Sequence, residues 1–134
     1  MNMDEELVRI NAVTEKIIGC AFRVSNTLGI GFLEKVYENA LAHELRKLGL
    51  PVRQQVEINV YYDDVVVGFY RADLFVEELV AVEIKHVKAF DEAHVAQALN
   101  YLRAARHRVA LLLNFGTSRV EIKRVIHGGS QTTS

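Results

Sequence analysis

Residues 73–85 read Asp-Leu-Phe-Val-Glu-Glu-Leu-Val-Ala-Val-Glu-Ile-Lys, a segment that combines an apolar strand pattern with acidic residues and a lysine. From residue 80 to 85, alternation places the branched apolar side chains on one face of a strand and Glu83 and Lys85 on the other. The preceding strand carries Asp73, ten positions before Glu83. Two carboxylates and one ammonium group are therefore expected where two adjacent strands meet.

This trio has the chemistry of a phosphodiesterase site. Mg²⁺ takes oxygen ligands and keeps several waters when one or two carboxylates hold it, which suits Asp73 and Glu83. Beside such an ion, Lys85 can orient a hydrolytic water or stabilise the charge that develops on a phosphate. The alternative is a surface hairpin whose acids and lysine are simply solvated.

The shared site depends on strand register, because residues directly opposite on antiparallel strands share a face. A three-residue turn at 77–79 sets Asp73 opposite Glu83. A two-residue turn at 77–78 sets Asp73 opposite Val82 instead and sends the carboxylates to different faces, unless a bulge intervenes. The sequence is compatible with both turns.

Elsewhere the chain alternates between helical and strand periods. Helical spacing predicts a first helix stopped by Gly29-Ile30-Gly31, a second over residues 33–48 and a third over 91–106. The element order is ααβββαββ, an α/β fold with a mixed sheet flanked by helices. We expect one domain over residues 1–127 and a flexible polar tail over 128–134. The strands are predicted over residues 52–62, 65–75, 80–85, 109–114 and 120–126.

The charge balance argues against strong nonspecific binding to polyanions. The 134 residues carry a formal net charge of -1, so contacts to nucleic acid must come from local patches. Two basic clusters are candidates, although each is also typical of a solvated edge. They comprise Arg103, Arg106, His107 and Arg108, and Arg119, Lys123 and Arg124.

Other classes of protein lack support in the sequence. The acidic start differs from a secretory signal, and the longest purely apolar run, residues 109–113, is too short to span a membrane. A lone cysteine, Cys20, fits a reducing compartment, so we expect a cytoplasmic protein. The histidines lack zinc-ligand spacing, and neither a P-loop nor a GxSxG motif is present.

Several segments together resemble the small bacterial GxxExxY family, a branch of the PD-(D/E)XK nuclease superfamily. The resemblance spans about residues 14–126 and implies a restriction-endonuclease-like fold. Two positions depart from the pattern of that family. Ala72 replaces the proline of the PD-(D/E)XK motif, and Gly29-Ile30-Gly31 replaces a more usual Gly-Pro-Gly. The matching segments are Gly31-Phe-Leu-Glu-Lys-Val-Tyr37, Tyr70-Arg-Ala-Asp-Leu74, Glu83-Ile-Lys85, Gln97-Ala-Leu-Asn-Tyr-Leu102 and Leu112-Leu-Asn-Phe-Gly116.

The resemblance assigns a role to each matching residue. It implies that Asp73 and Glu83 ligate Mg²⁺ or Mn²⁺, with the backbone carbonyl of Ile84 as a further ligand. It makes Lys85 the catalytic lysine and Glu34 the helical acid that completes the site. Glu38, four residues after Glu34, leaves an ordinary solvated helix face as the alternative for that pair.

The third predicted helix contributes a further pair. Gln97 and Tyr101 resemble the QxxxY pair of the exonuclease branch, and their spacing puts them on one helix face. Gln97 is expected to serve catalysis, and Tyr101 and Arg71 to contact the substrate.

The expected function is a Mg²⁺- or Mn²⁺-dependent nuclease that acts on DNA or RNA. The alternative is a non-catalytic nucleic-acid-binding or protein-interaction module that keeps the fold. The wide apolar stripe of the first helix allows a homodimer, and the alternative is that this stripe belongs to the core. The nucleic acid, endo or exo cleavage, and the number of metal ions stay open.

Overall fold

The computed structural model describes residues 2–128 and contains three helices and five strands within them. The order is ααβββαββ, as predicted. The tail predicted from residue 128 lies outside the described residues, except for Gly128 itself. Within the described part, no helix is both long and apolar enough to cross a bilayer. The elements are α1 (Met3–Leu28), α2 (Glu34–Lys47), β1 (Val52–Tyr62), β2 (Val65–Val76), β3 (Val80–Lys85), α3 (Glu92–Ala105), β4 (Val109–Asn114) and β5 (Glu121–Ile126).

Local hydrogen bonds define the first helix and the turn that follows it. A reciprocal capping box between Asn2 and Glu5 starts α1. The helix ends at Gly29, whose φ of 71° favours glycine. The buried Tyr37 hydroxyl then donates to the Gly29 carbonyl and accepts from the Phe32 N–H, at 2.7 and 3.2 Å. These two bonds fix the start of α2 against the end of α1.

The five strands form one mixed sheet in the order β1-β2-β3-β4-β5. Only β3 and β4 are parallel, and α3 connects them, as predicted for this crossover. The core against α1 and α2 lies on one face of the sheet and the core against α3 on the other. Every residue of β4 is buried, because this strand is covered on both faces.

The long β1–β2 hairpin reverses its pleat at Gln55 and Asp73. Side chains two residues apart in a regular strand lie on the same face of the sheet. Here Leu74 lies in the core against α1 and α2, whereas Ala72 lies in the core against α3. Gln55 opposite adopts a left-handed φ of 54°, which is rare for a residue other than glycine. The reversal turns the outer half of the hairpin towards α3, so Val56 packs in the α3 core.

Candidate active site

The register between β2 and β3 brings the two predicted metal ligands together. A three-residue turn at 77–79 joins the strands, and Leu74 pairs with Val82. The pairing ends there, and Asp73, the next residue along β2, bonds the Ile84 N–H and lies close enough to Glu83 for its charge to raise the pKa of that residue. The turn of three residues is therefore the one the chain uses, and the two-residue alternative is wrong.

The Asp73 carboxylate reaches across to the backbone of β3. Its Oδ2 accepts a hydrogen bond of 2.6 Å from the Ile84 N–H, and its Oδ1 accepts one of 3.3 Å from the Gln55 amide. Burial raises the pKa of Asp73 above its usual range, against the lowering effect of these two bonds. The side chain is thus fixed over the segment that carries Glu83 and Lys85.

Glu83 is a nearly buried carboxylate, with 9% of its surface exposed. Burial, followed by the negative charge of Asp73, raises the pKa of Glu83 to about 8, while Lys85 opposes the rise. No hydrogen bond within the described chain contributes to that pKa. Two coupled, desolvated carboxylates are hard oxygen donors of the kind that Mg²⁺ and Mn²⁺ prefer, so the donor set fits such an ion.

Lys85 is held at the end of β3 by contacts on both sides. Its Nζ donates to the Gln97 Oε1 of α3 at 3.3 Å. Its carbonyl accepts from the Phe115 N–H at 2.9 Å, which extends the pairing of β3 with β4. Gln97 of α3 therefore lies beside the lysine, and its part in catalysis stays a prediction.

The loop after Lys85 is clamped by the end of β4. The fully buried Asn114 side chain accepts from the Val87 N–H and donates to the Val87 carbonyl, at 3.0 and 2.8 Å. At Gly116, an added Cβ would lie 2.6–2.9 Å from the backbone of His86 and Val87, so only glycine permits this approach. This close packing fixes the position of the strand end that presents Lys85.

Tyr101 and Glu34 border the pair of carboxylates. Tyr101 is buried, and its pKa is raised first by burial and then by the charge of Glu83. Glu34 is exposed at the first position of α2, and its charge raises the pKa of Glu83 less than burial and Asp73 do. Within residues 2–128, no group of three or more Asp, Glu, His or Cys side chains is placed to hold an ion together.

Arg71 is engaged elsewhere. Its guanidinium pairs with Glu57 across the hairpin and lies 5.7 Å from the centre of the Phe69 ring. None of its described polar contacts is with another predicted site residue. Its role in substrate binding stays a prediction.

Two residues that were not predicted to belong to the site contact it. Glu38 is only 3% exposed, so the solvated-face alternative is wrong for it, although Glu34 is exposed. The Gln55 Nε2 bridges Glu38 Oε1 at 2.8 Å and Asp73 Oδ1 at 3.3 Å. The helical spacing could have predicted the burial of Glu38. It lies three residues before Leu41 and therefore on the same buried face of α2.

A mixed sheet that presents Asp73, Glu83 and Lys85 at the β2–β3 junction defines a nuclease-like protein of the PD-(D/E)XK class. The chain belongs to the PD-(D/E)XK nuclease superfamily, whose family model matches residues 11–125. No curated protein sequence matches it.

Two solved structures resemble the chain. The crystal structure of SSO0001 matches with a TM-score of 0.55 at 17% identity, over 74% of this chain and 52% of that one. This chain therefore spans about half the length of that protein. An alkaline exonuclease, LHK-Exo from Laribacter hongkongensis, matches with a TM-score of 0.48 at 11% identity, over 84% of this chain and 78% of that one. At these identities the first likeness shows the fold alone.

Proposed function

We propose that this protein is a metal-dependent nuclease that hydrolyses phosphodiester bonds in DNA or RNA. The observation that carries the proposal is the close approach of Asp73 to Glu83 where β2 and β3 stop pairing, with Lys85 two residues further along β3. Membership of the nuclease superfamily supports the same activity. Within the superfamily, we propose that the chain belongs to the GxxExxY branch, which the sequence segments that resemble that family support.

Asp73 and Glu83 would hold Mg²⁺ or Mn²⁺, with the Ile84 carbonyl as an additional oxygen ligand. When bound, the ion supplies positive charge that polarises the scissile phosphate. Glu83 must lose its proton to become a ligand, so loading the site at neutral pH releases protons. The Lys85 ammonium group stabilises the charge that develops on the phosphate, and Gln97 holds that group in place.

The surrounding residues take supporting roles. Gln55 acts as a positioning residue, because its amide ties the ligand Asp73 to the buried Glu38. Tyr101 contacts the substrate next to Glu83, and Glu34 adds negative charge at the edge of the site. Arg71 takes part in substrate binding only if it leaves its pair with Glu57.

Three wider expectations accompany this function. We propose a single domain over residues 1–127, a cytoplasmic location, which the lone Cys20 supports, and a homodimer. The apolar stripe of α1 that suggested the dimer packs in the core of the chain, so the interface must lie elsewhere. Size-exclusion chromatography with light scattering tests the last of these.

A cleavage assay tests the proposed activity. Purified protein is incubated with end-labelled single-stranded and double-stranded DNA and RNA, with Mg²⁺, Mn²⁺ or EDTA. We expect metal-dependent cleavage that Lys85→Ala abolishes and Lys16→Ala, an exposed lysine of α1, leaves intact. Both variants should keep the folding stability of the parent protein, since an exposed or half-exposed charge contributes little.

A binding assay tests the ligands separately. Calorimetric titration with Mn²⁺ should show weaker binding for Asp73→Asn than for the parent protein. Asp64→Asn, in the exposed β1–β2 turn, is the matched control. Equal affinity in both variants would remove Asp73 from the site.

The near-neutral charge of the chain favours a second function, a non-catalytic nucleic-acid-binding or protein-interaction module. Failure to cleave any of the substrates with either metal would favour this module over the nuclease.

A further inference from the structure

A cleft of about 480 Å³ lies between the β1–β2 hairpin and the C-terminal half of α3. Two arginines, two tyrosines and two asparagines supply its polar and aromatic groups, and none of the lining residues is acidic. In a chain with net charge -1, this is a local concentration of positive charge. The lining residues are Asn59, Val60, Tyr61, Tyr70, Asn100, Arg103, Ala104 and Arg106.

The fold builds this cleft through the pleat reversal in the hairpin. The reversal turns the outer half of β1 and β2 towards α3, and Ile58 and Tyr70 pack against the α3 core. On the helix side, Arg106 ends α3 in a left-handed conformation with φ of 61°. The Arg103 guanidinium donates to the Asn100 side chain at 3.3 Å, which holds one arginine along the cleft wall.

The groups in the cleft match the chemistry of an unpaired nucleic-acid strand. The Tyr61 side chain is exposed, so its ring face is free to stack on a base. Arg103 and Arg106 are exposed and suit phosphate groups, which guanidinium donors bind well. A duplex hides its base faces within the stack, so tyrosine stacking selects for single strands.

The cleft and the site that contains Lys85 both border α3. Gln97, which bonds Lys85, lies seven residues before Ala104, so the two share one face of α3. Seven residues rise by about 10 Å along a helix. A strand only a few nucleotides long, seated in the cleft, would therefore reach the lysine.

We propose that this cleft binds single-stranded nucleic acid and leads it to the β2–β3 site. The binding itself is independent of cleavage, whereas delivery of the strand to Lys85 rests on the proposed nuclease function. Arg103 and Arg106 contact backbone phosphates, and Tyr61 stacks on a base.

Fluorescence anisotropy tests the binding without relying on activity. Labelled single-stranded DNA and RNA, and a duplex of the same sequence, are titrated with full-length protein in EDTA. Arg103→Gln/Arg106→Gln should weaken single-strand binding about tenfold and reduce the slope of log affinity against log salt by about 1.4, for two lost phosphate contacts. The control Lys16→Gln/Arg23→Gln removes two exposed charges from α1 and should change affinity less than twofold.

A second variant tests stacking. Tyr61→Leu keeps an apolar side chain at an exposed position and should weaken single-strand binding about tenfold, while thermal melting stays unchanged. Lys85→Ala should bind as the parent does within a few-fold, so a loss of cleavage there leaves the cleft proposal standing.

Three results would overturn the proposal. The first is that no single-strand binding is seen up to about 100 µM protein, the weak end of nonspecific binding. The second is that the cleft double variant and the control double variant lose equal affinity. The third is that a duplex binds as tightly as the single strand and depends equally on Arg103 and Arg106.

Discussion

Replacing Glu83 with glutamine should remove a large part of the pH dependence of stability in the metal-free protein. The unfolded chain has a glutamate of ordinary pKa, 4.5, whereas the folded protein raises the pKa of Glu83 to about 8. Between these values the folded state holds a proton that the unfolded state has lost. The free energy of unfolding therefore falls as pH rises through this window, and the loss is complete only above about pH 8.

The size of the effect follows from the same two values. A pKa difference of this size corresponds to about 5 kcal/mol over the whole window. Between about pH 6 and pH 9, the part lost is on the order of 3 kcal/mol. In Glu83→Gln the side chain is neutral at every pH, so the variant should not lose this part of the free energy of unfolding. Its stability relative to the parent protein should therefore rise by about this amount between pH 6 and pH 9. Tyr101 does not offset it, because burial raises the pKa of its phenol above the usual value.

Urea unfolding in EDTA at the two pH values measures this difference. The control is Glu15→Gln, an exposed glutamate of α1, whose stability should run parallel to that of the parent at both pH values. If Glu83→Gln also runs parallel to the parent, Glu83 is not a desolvated carboxylate coupled to Asp73, and the electrostatic description of the site is wrong.

Two other perturbations probe the scaffold of the site. Gly116→Ala should lower the free energy of unfolding by about 1–3 kcal/mol, because the added Cβ would clash with the backbone of Val87. The control Gly19→Ala has open space around it in α1 and should be neutral or slightly stabilising. Chemical denaturation of both variants measures the difference. Gln55→Ala should weaken Mn²⁺ binding about tenfold in calorimetric titration, because the ligand Asp73 loses a supporting hydrogen bond. The control Gln54→Ala removes a hydrogen bond to Glu38 but none to Asp73, so its affinity for Mn²⁺ should stay near that of the parent protein. Equal effects in the two glutamine variants would refute a positioning role for Gln55.

The sequence predicted the elements well because their signals are local. The short apolar runs of β3 and β4 begin and end as expected, since turn residues and charged residues bound them on both sides. The sequence did not decide between a two-residue and a three-residue turn after β2; it linked each turn length to a face for Asp73, and the structure has the three-residue turn.

The features that escaped prediction depend on contacts between distant segments. Glu38 is buried by the side chains of Gln54 and Gln55, which lie 16 and 17 residues away in the chain. The left-handed conformation of Gln55 has no sequence signal, because glycine or asparagine is the usual residue there. The cross-strand pair of Arg71 with Glu57 likewise follows from the hairpin register and not from the motif around Arg71.

A Mn²⁺-soaked crystal measured at the manganese absorption edge would show whether the two carboxylates hold an ion. We predict an anomalous peak between the carboxylates of Asp73 and Glu83, within ligand distance of both. Side chains that diverge to opposite faces of the sheet, or a peak that touches neither carboxylate, would contradict it.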